Sequence, residues 1–326
     1  MLEVVAPGLL LTLQDLGRPG LAHLGVPPSG ACDPWGLTVA NLLAQALPDA
    51  IAVEVTLGET QLRAVETCTV SLAGADLGAE LDDGRPLPAG AVYRLPAGSR
   101  IRFAGSRTGL RAYVGLAGGV AARRVLGSAS TCVPAGIGGI DGRPLRAGDV
   151  LLPVRRGDLG AAGIAWPARR APHPARLDGP LRFVPGPDLR HLPADTAGAL
   201  AAATWRVGSA SDRMGMRLEG AALLPGGEIL SHPVNPGAIQ VPADGQPVVL
   251  FVDGPTIGGY PVVGVVPRWE RSRLGQLRPG DRVTFAPQDA ADARAAWAEQ
   301  QRRLAAAARV IGVDALWEGL ADGAGG

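Results

Sequence analysis

Glycine and proline interrupt this chain 47 and 29 times in 326 residues, so long helices have little room to form. Between the interruptions lie many apolar runs of strand length. That is the pattern of a mainly β chain made of short strands and tight turns. Helical spacing survives in a few places. Over Pro34 to Leu47, residues Leu37, Ala40, Asn41, Ala44 and Leu47 share a face, with Asp33 placed to cap the helix and Pro34 at its first turn. Ala290 to Ile311 is rich in Ala and Arg, with Trp297, Leu304 and Ile311 seven residues apart. A shorter helix is predicted from Asp195 to Ala203.

A short internal repeat reinforces the β reading. LPAGSRIRF (95–103) resembles LRPGDRVTF (277–285), and LRAGDVLLP (145–153) is a looser copy. Each is a glycine-bearing turn that leads into an alternating strand. Copies in the middle and at the end of the chain predict two related β units. The segment 158–180, rich in Pro, Ala and Arg, reads as the linker. The expected division is residues 1–157, the linker, residues 181–288 and a helix over 289–312, with strands exchanged between domains as an option. The tail from Asp322 to Gly326 is expected to be disordered.

Charge excludes several functions. The net charge is +1, with no basic patch for nucleic acid and no apolar window long enough for a membrane span. All 31 basic residues are Arg, so the chain has neither a P-loop lysine nor a lysine to carry biotin. Cys32, Cys68 and Cys132 form no CxxC, and the four histidines show no metal spacing, so no metal site is expected. His173 falls in the linker and is expected to be exposed. No GxSxG motif supports a serine hydrolase. The N-terminus has no signal-peptide pattern, and the expected location is the cytoplasm.

Polar residues stand out against this background. Gln14, Asp15 and Arg18 are spaced for a carboxylate–guanidinium pair, bracing a loop or serving a site. Asn41 and Glu54 interrupt apolar patterns; on alternation alone Glu54 faces solvent. Asp212, Arg213 and Arg217 lie close in sequence, and a guanidinium fork suits carboxylate or phosphate. GIGGIDG (136–142) has phosphate-loop composition, but no helix and no lysine follow, so it reads as a β-turn. The densest constellation is the corner Asp253, Gly254, Thr256, Gly258, Gly259, Tyr260, Pro261, following apolar strands. Packing alone does not require that mixture, and paired glycines let backbone N–H groups approach a ligand.

Nine segments together carry a resemblance. They are TLQDLGRPG (12–20), GVPPSGACD (25–33), ANLL (40–43), VEVTLG (53–58), LAGGV (116–120), GSAST (127–131), GIGGIDGR (136–143), SDRMGMRLEG (211–220) and IQVPADGQPVVLFVDGPTIGGYP (239–261). In these the chain resembles the biotin-dependent carboxyltransferase family, also called allophanate hydrolase subunit 2, which includes the C-type subunits of 5-oxoprolinase and KipA-like proteins. The pattern departs at Cys132, where members often carry Asp, at Pro255 and at Glu59.

The resemblance implies two cyclophilin-like β-barrel domains with a few short helices. It implies a B-type, KipI-like partner and a third component, the A-type subunit of LamB/YcsF kind. The implied reaction is ATP-dependent opening of 5-oxo-L-proline to L-glutamate, with ATP and Mg as co-substrate of the complex and no biotin bound covalently to this chain. Alternatives are the carboxyltransferase component of a biotin-dependent urea or amide carboxylase, and a KipA-like module that binds a KipI-type kinase inhibitor. Under the enzymatic reading Asp33, Glu54, Asp253 and Tyr260 are the catalytic candidates. Arg18, Asn41, Asp212, Arg213, Gln240, Thr256, Gly258 and Gly259 are the candidates for holding a lactam or amide substrate.

Overall fold

A computed structural model describes residues 1–155, 162–169, 171–174, 179–227 and 229–315. The chain forms two compact units. Unit 1 comprises Met1–Arg18, Ser29–His173 and Arg302–Gly326; unit 2 comprises Pro19–Pro28 and Pro174–Gln301. The mainly β class expected from the frequent turn residues is the class observed.

Unit 1 contains strands β1 (Leu2–Pro7), β2 (Leu10–Gln14), β3 (Ala52–Thr56), β4 (Thr60–Ala64), β5 (Cys68–Asp76), β6 (Ala79–Leu81), β7 (Ala91–Leu95), β8 (Arg100–Phe103), β9 (Thr108–Leu116) and β10 (Val150–Leu151). They form two five-stranded sheets, ordered β10-β1-β4-β8-β6 and β2-β3-β9-β5-β7. Consecutive strands β1 and β2, and again β3 and β4, pass from one sheet to the other. The inner faces of both enclose a core that includes Val4, Leu11, Leu13, Val53, Val55, Leu62, Ile101 and Val114. Helix α1 (Pro34–Leu43) covers the outer face of the second sheet, where Trp35, Leu37 and Val39 pack with Tyr113, Leu304, Ala307 and Ala308.

Unit 2 contains β11 (Leu181–Pro185), α2 (Thr196–Ala202), β12 (Trp205–Val207), β13 (Gly215–Glu219), β14 (His232–Pro233), β15 (Ala238–Gln240), β16 (Val248–Leu250), β17 (Ile257–Gly258), β18 (Val262–Val265), α3 (Arg271–Leu274), β19 (Arg282–Val283) and β20 (Phe285–Pro287). Its eight-stranded sheet runs β19-β12-β13-β16-β15-β18-β11-β20. The two end strands are consecutive in the chain, separated by Thr284 alone, so a single bent segment nearly closes the sheet into a barrel. A two-stranded ribbon of β14 and β17 lies apart from that sheet. Helix α4 (Ala290–Val310) follows.

The three copies of the repeat have one geometry. Gly98, Gly148 and Gly280 take φ of 84°, 90° and 92°, the left-handed region that glycine enters without strain. Each glycine N–H and the next residue's carbonyl clamp one residue of a neighbouring strand. Gly98 and Ser99 hold Ala64 at 2.7 and 2.9 Å, Gly148 and Asp149 hold Val4 at 2.8 and 2.9 Å, and Gly280 and Asp281 hold Val207 at 2.8 and 2.9 Å.

Several expectations are corrected. The division is not contiguous: residues 19–28 cluster with unit 2 and residues from 302 with unit 1. The described part of the expected linker is packed rather than free. Ala165 bridges Ala91, and buried Trp166 donates its indole N–H to Ala171 O at 3.0 Å. Helix α1 stops at Leu43, short of Leu47, because Gln45 turns left-handed at φ 52°. The tail 322–326 lies outside the described residues.

Candidate functional site

The polar centre of unit 1 is built on α1 and on strands β3 and β9. Asp33 caps α1: its Oδ1 accepts the Gly36 N–H at 2.9 Å, a contact worth about 1 kcal/mol to a helix. Glycine is needed at position 36, since a Cβ there would lie 2.6 Å from Asp33 Oδ2 and 2.9 Å from the Tyr113 ring. The second carboxylate oxygen, Oδ2, lies 2.6 Å from His173 Nε2. His173 is therefore not the exposed linker residue expected from sequence; its side chain retains 15% of its accessible surface.

Glu54 stands directly behind this pair. In β3, Val53 and Val55 point into the core, while Ala52 packs with the residues under α1. Glu54 shares the α1 side and is fully buried, which overturns the solvent-facing placement that alternation suggests. Alternation fails because both faces of β3 are covered. Across the ladder Glu54 is opposite Tyr113, and Arg111 lies two residues from Tyr113 on the same face of β9. Tyr113 OH donates to Glu54 Oε2 at 2.7 Å and accepts the Asp33 N–H at 2.9 Å. The Cys32 N–H reaches the same Glu54 oxygen at 2.9 Å, and Arg111 Nε lies 3.8 Å from Oε1. Burial first, then the charges of Glu54 and Asp33, push the Tyr113 phenol well above its usual pKa, so it remains a donor.

The other unit 1 candidates brace loops. Asp15 accepts from the hydroxyls of Ser128 and Ser130, each at 2.5 Å, and from the Ala129 N–H at 2.8 Å. Arg18 Nη2 donates to Ser130 O at 2.5 Å. Asn41 ties α1 to the chain after it, donating to Pro48 O at 3.2 Å and Ala50 O at 2.7 Å. A Cβ on Gly138 would lie 1.9 Å from Ser130 O and one on Gly139 2.1 Å from Thr131 Oγ1, so those glycines serve packing against residues 130 and 131.

In unit 2, Arg213 and Asp253 form a buried two-point pair, Nε to Oδ2 at 2.7 Å and Nη2 to Oδ1 at 3.2 Å. Asp253 N–H also donates to Arg213 O at 2.9 Å, so the Arg213 fork fixes the corner. Asp212 Oδ1 shapes the preceding turn by accepting the Met214 and Gly215 N–H groups at 2.8 and 3.1 Å. Gln240 Nε2 donates to Tyr260 O at 3.3 Å, and a Cβ on Gly258 would meet that amide at 2.4 Å. Thr256 is buried and its carbonyl accepts the Val234 N–H; Ser231 Oγ would be 3.2 Å from a Cβ on Gly259. Tyr260 is 44% exposed and is the catalytic candidate that reaches the surface. Nearby, His232 Nε2 lies 2.9 Å from Asp188 Oδ2.

The sequence points to Asp33 and Glu54 as candidates; the structure brings Arg111, Tyr113 and His173 against them, and pairs Asp188 with His232 in unit 2, none of which the sequence singles out. Polar Arg111 and Tyr113 within the apolar run of β9 are a signal of the kind that marks Glu54. His173 carries none, because its partner is 140 residues away. Among the described residues, no group of three or more His, Cys, Asp or Glu is arranged to hold a metal.

Residues 24–287 match the family described as carboxyltransferase domain, subdomain A and B. The chain is 35% identical to the 5-oxoprolinase C subunit of Escherichia coli, covering 93% of this chain and 96% of that protein. Against urea amidolyase of Saccharomyces cerevisiae it is 31% identical over 88% of this chain but only 16% of the relative. Among solved structures, Kluyveromyces lactis urea carboxylase superposes with a TM-score of 0.84 at 27% identity, over 93% of this chain and 29% of that one. TTHA0988 superposes with a TM-score of 0.76 at 36% identity, over 87% of this chain and 55% of that one. The chain therefore spans about half of the TTHA0988 chain and less than a third of the yeast one.

Proposed function

This chain belongs to the carboxyltransferase-domain family, subdomains A and B, and we propose that it is the C-type subunit of an ATP-dependent 5-oxoprolinase. The supporting observation is co-extension: the match to the E. coli relative spans nearly all of both chains, whereas urea amidolyases are matched over a small fraction of their length. Under this reading the chain works in the cytoplasm with B-type and A-type partners, and the complex opens 5-oxo-L-proline to L-glutamate. ATP with Mg is the co-substrate. Among the described residues no helix is long and apolar enough to cross a membrane.

A lactam carbonyl is a poor electrophile. Phosphorylation of its oxygen yields an imidate that water can attack. Such a site needs fixed donors for developing negative charge and a group that moves protons. In unit 2, Tyr260 and the backbone of Gly258 and Gly259 form a polar corner suited to binding amide or carboxylate groups. Arg213 and Asp253 hold that corner in shape and Asp212 shapes the turn before it; in unit 1, Arg18 and Asn41 brace loops of their own unit. Asp33 and Glu54 belong to the acid–base apparatus of unit 1. A second reading, carboxyl transfer with a biotinylated partner, is favoured by the superposition on urea carboxylase.

The test is glutamate release from 5-oxoproline and ATP by this chain co-expressed with its B-type and A-type partners, each omitted in turn. Activity lost without this chain supports the proposal. An assembled complex that makes no glutamate but carboxylates urea with a biotinylated partner replaces it with the second reading.

A further inference from the structure

We infer that His173 is the proton-transferring residue of this chain and that Asp33 positions it, an assignment that rests on the 5-oxoprolinase reading. Every atom that aims Asp33 is fixed from behind. Its Oδ1 is held by the Gly36 N–H, and its backbone N–H is held by Tyr113 OH. That hydroxyl is in turn locked on Glu54, which the Cys32 N–H fixes as well. The outcome of these contacts is the direction of one carboxylate oxygen, Oδ2, which meets the imidazole at 2.6 Å. Cys32, Asp33, Glu54 and Tyr113 are fully buried, and Arg111 nearly so; His173 is the member that reaches the surface. An imidazole oriented by a buried carboxylate is the arrangement general acid–base catalysis uses. A supporting shell of this depth is what holds a reacting group in place. Asp33 is therefore a positioning residue, and the acid–base role moves one residue outward to His173.

The proton bookkeeping closes on water and the activated amide. The water oxygen bonds to the imidate carbon while one water proton passes to the imidazole and the C=N bond becomes single, its nitrogen taking that proton. The C–N bond then breaks as the new hydroxyl becomes a carbonyl, and its proton follows the same route to the departing amine. The histidine ends as it began. The product of this stage is an acyl phosphate, which a second water cleaves to glutamate and phosphate.

The rival role for His173 is structural, pinning the segment before it onto α1. His173→Gln keeps an N–H at the position of Nε2 for Asp33 but cannot shuttle a proton. In the assembled complex we expect His173→Gln to lower kcat by about 10²–10⁴-fold with KM and melting temperature little changed. His173→Ala should regain part of its rate on addition of imidazole, and Asp33→Asn should lower kcat more than it changes KM. A His173→Gln complex that keeps a rate within a few-fold of the active wild type overturns the assignment alone. So does a loss that tracks unfolding and is not rescued by imidazole. A wild-type complex that makes no glutamate overturns the functional reading and this assignment together.

Discussion

In unit 1 the imidazole of His173 lies 2.6 Å from Asp33; in unit 2 that of His232 lies 2.9 Å from Asp188. The two pairs look alike until their other contacts are compared. Asp188 Oδ2 also accepts the Val262 N–H at 3.0 Å, and His232 Nδ1 faces Pro233 O, next to it in sequence, at 3.0 Å. Both nitrogens of His232 therefore face oxygen acceptors, and the ring ties the Asp188 turn to β14. Asp33 lies deeper, its side chain wholly buried where that of Asp188 is not; one oxygen accepts the N–H of a helix start and the other meets the histidine. A histidine beside an aspartate is a clasp or a poised acid–base pair according to what surrounds it, and proximity alone does not distinguish them.

The largest expected effect probes the buried ion pair of unit 2. Arg213→Ala leaves Asp253 charged and without its fork, which should cost about 3–5 kcal/mol in urea unfolding of the chain. Replacing both residues by apolar ones should cost markedly less. A single substitution no worse than the double would show that the pair is not a buried clasp.

The matching experiment in unit 1 is Tyr113→Phe, which removes the hydroxyl that joins Glu54 to Asp33 and should cost about 1–3 kcal/mol. It also changes the alkaline limb. The folded phenol has a pKa raised above the usual value of about 10, so the unfolded chain loses this proton first. The stabilisation is complete below about pH 10 and declines as pH rises above it. Stability curves of wild type and Tyr113→Phe should converge there; parallel curves would contradict the burial of the phenol.

The repeated turns offer a comparison in which the units should agree. No atom lies within 4 Å of a Cβ built on Gly98, Gly148 or Gly280, so alanine there tests backbone strain alone. Each substitution should cost about 1 kcal/mol, the same in both units. A site that deviates from the other two would reveal a contact the shared geometry does not contain. The smallest effect is expected for His232→Gln, whose complex should form glutamate with a loss far short of the ~10²-fold of a missing acid–base group. A loss as deep as that of His173→Gln would erase the distinction between the two pairs.

What can be read from sequence is local. Glycine at the left-handed position of each turn, and the Asp33-Pro34 start of α1, are decided by a few neighbouring residues, and both are legible. The end of α1 falls four residues before the periodicity does, because Gln45 leaves the helix in a conformation its identity does not announce. Glu54 is misplaced by alternation, which tells which face a residue takes, not whether a helix covers it. His173 is invisible because its meaning comes from Asp33, and the segment that carries it resembles a linker in composition. The corner from Asp253 to Tyr260 stands out as unusual in sequence. That Arg213 and Asp253 occupy each other is a fact of tertiary packing.

The discontinuous make-up of the units has a consequence for synthesis on the ribosome. The barrel of unit 2 is sealed only when Arg282 to Pro287 arrive. The layer under α1 in unit 1 waits longer still, for Leu304, Ala307 and Ala308. The unit whose strands emerge first is thus completed last. Throughout elongation the outer face of the β2-β3-β9-β5-β7 sheet lacks part of its cover, which makes that surface a natural client for chaperones.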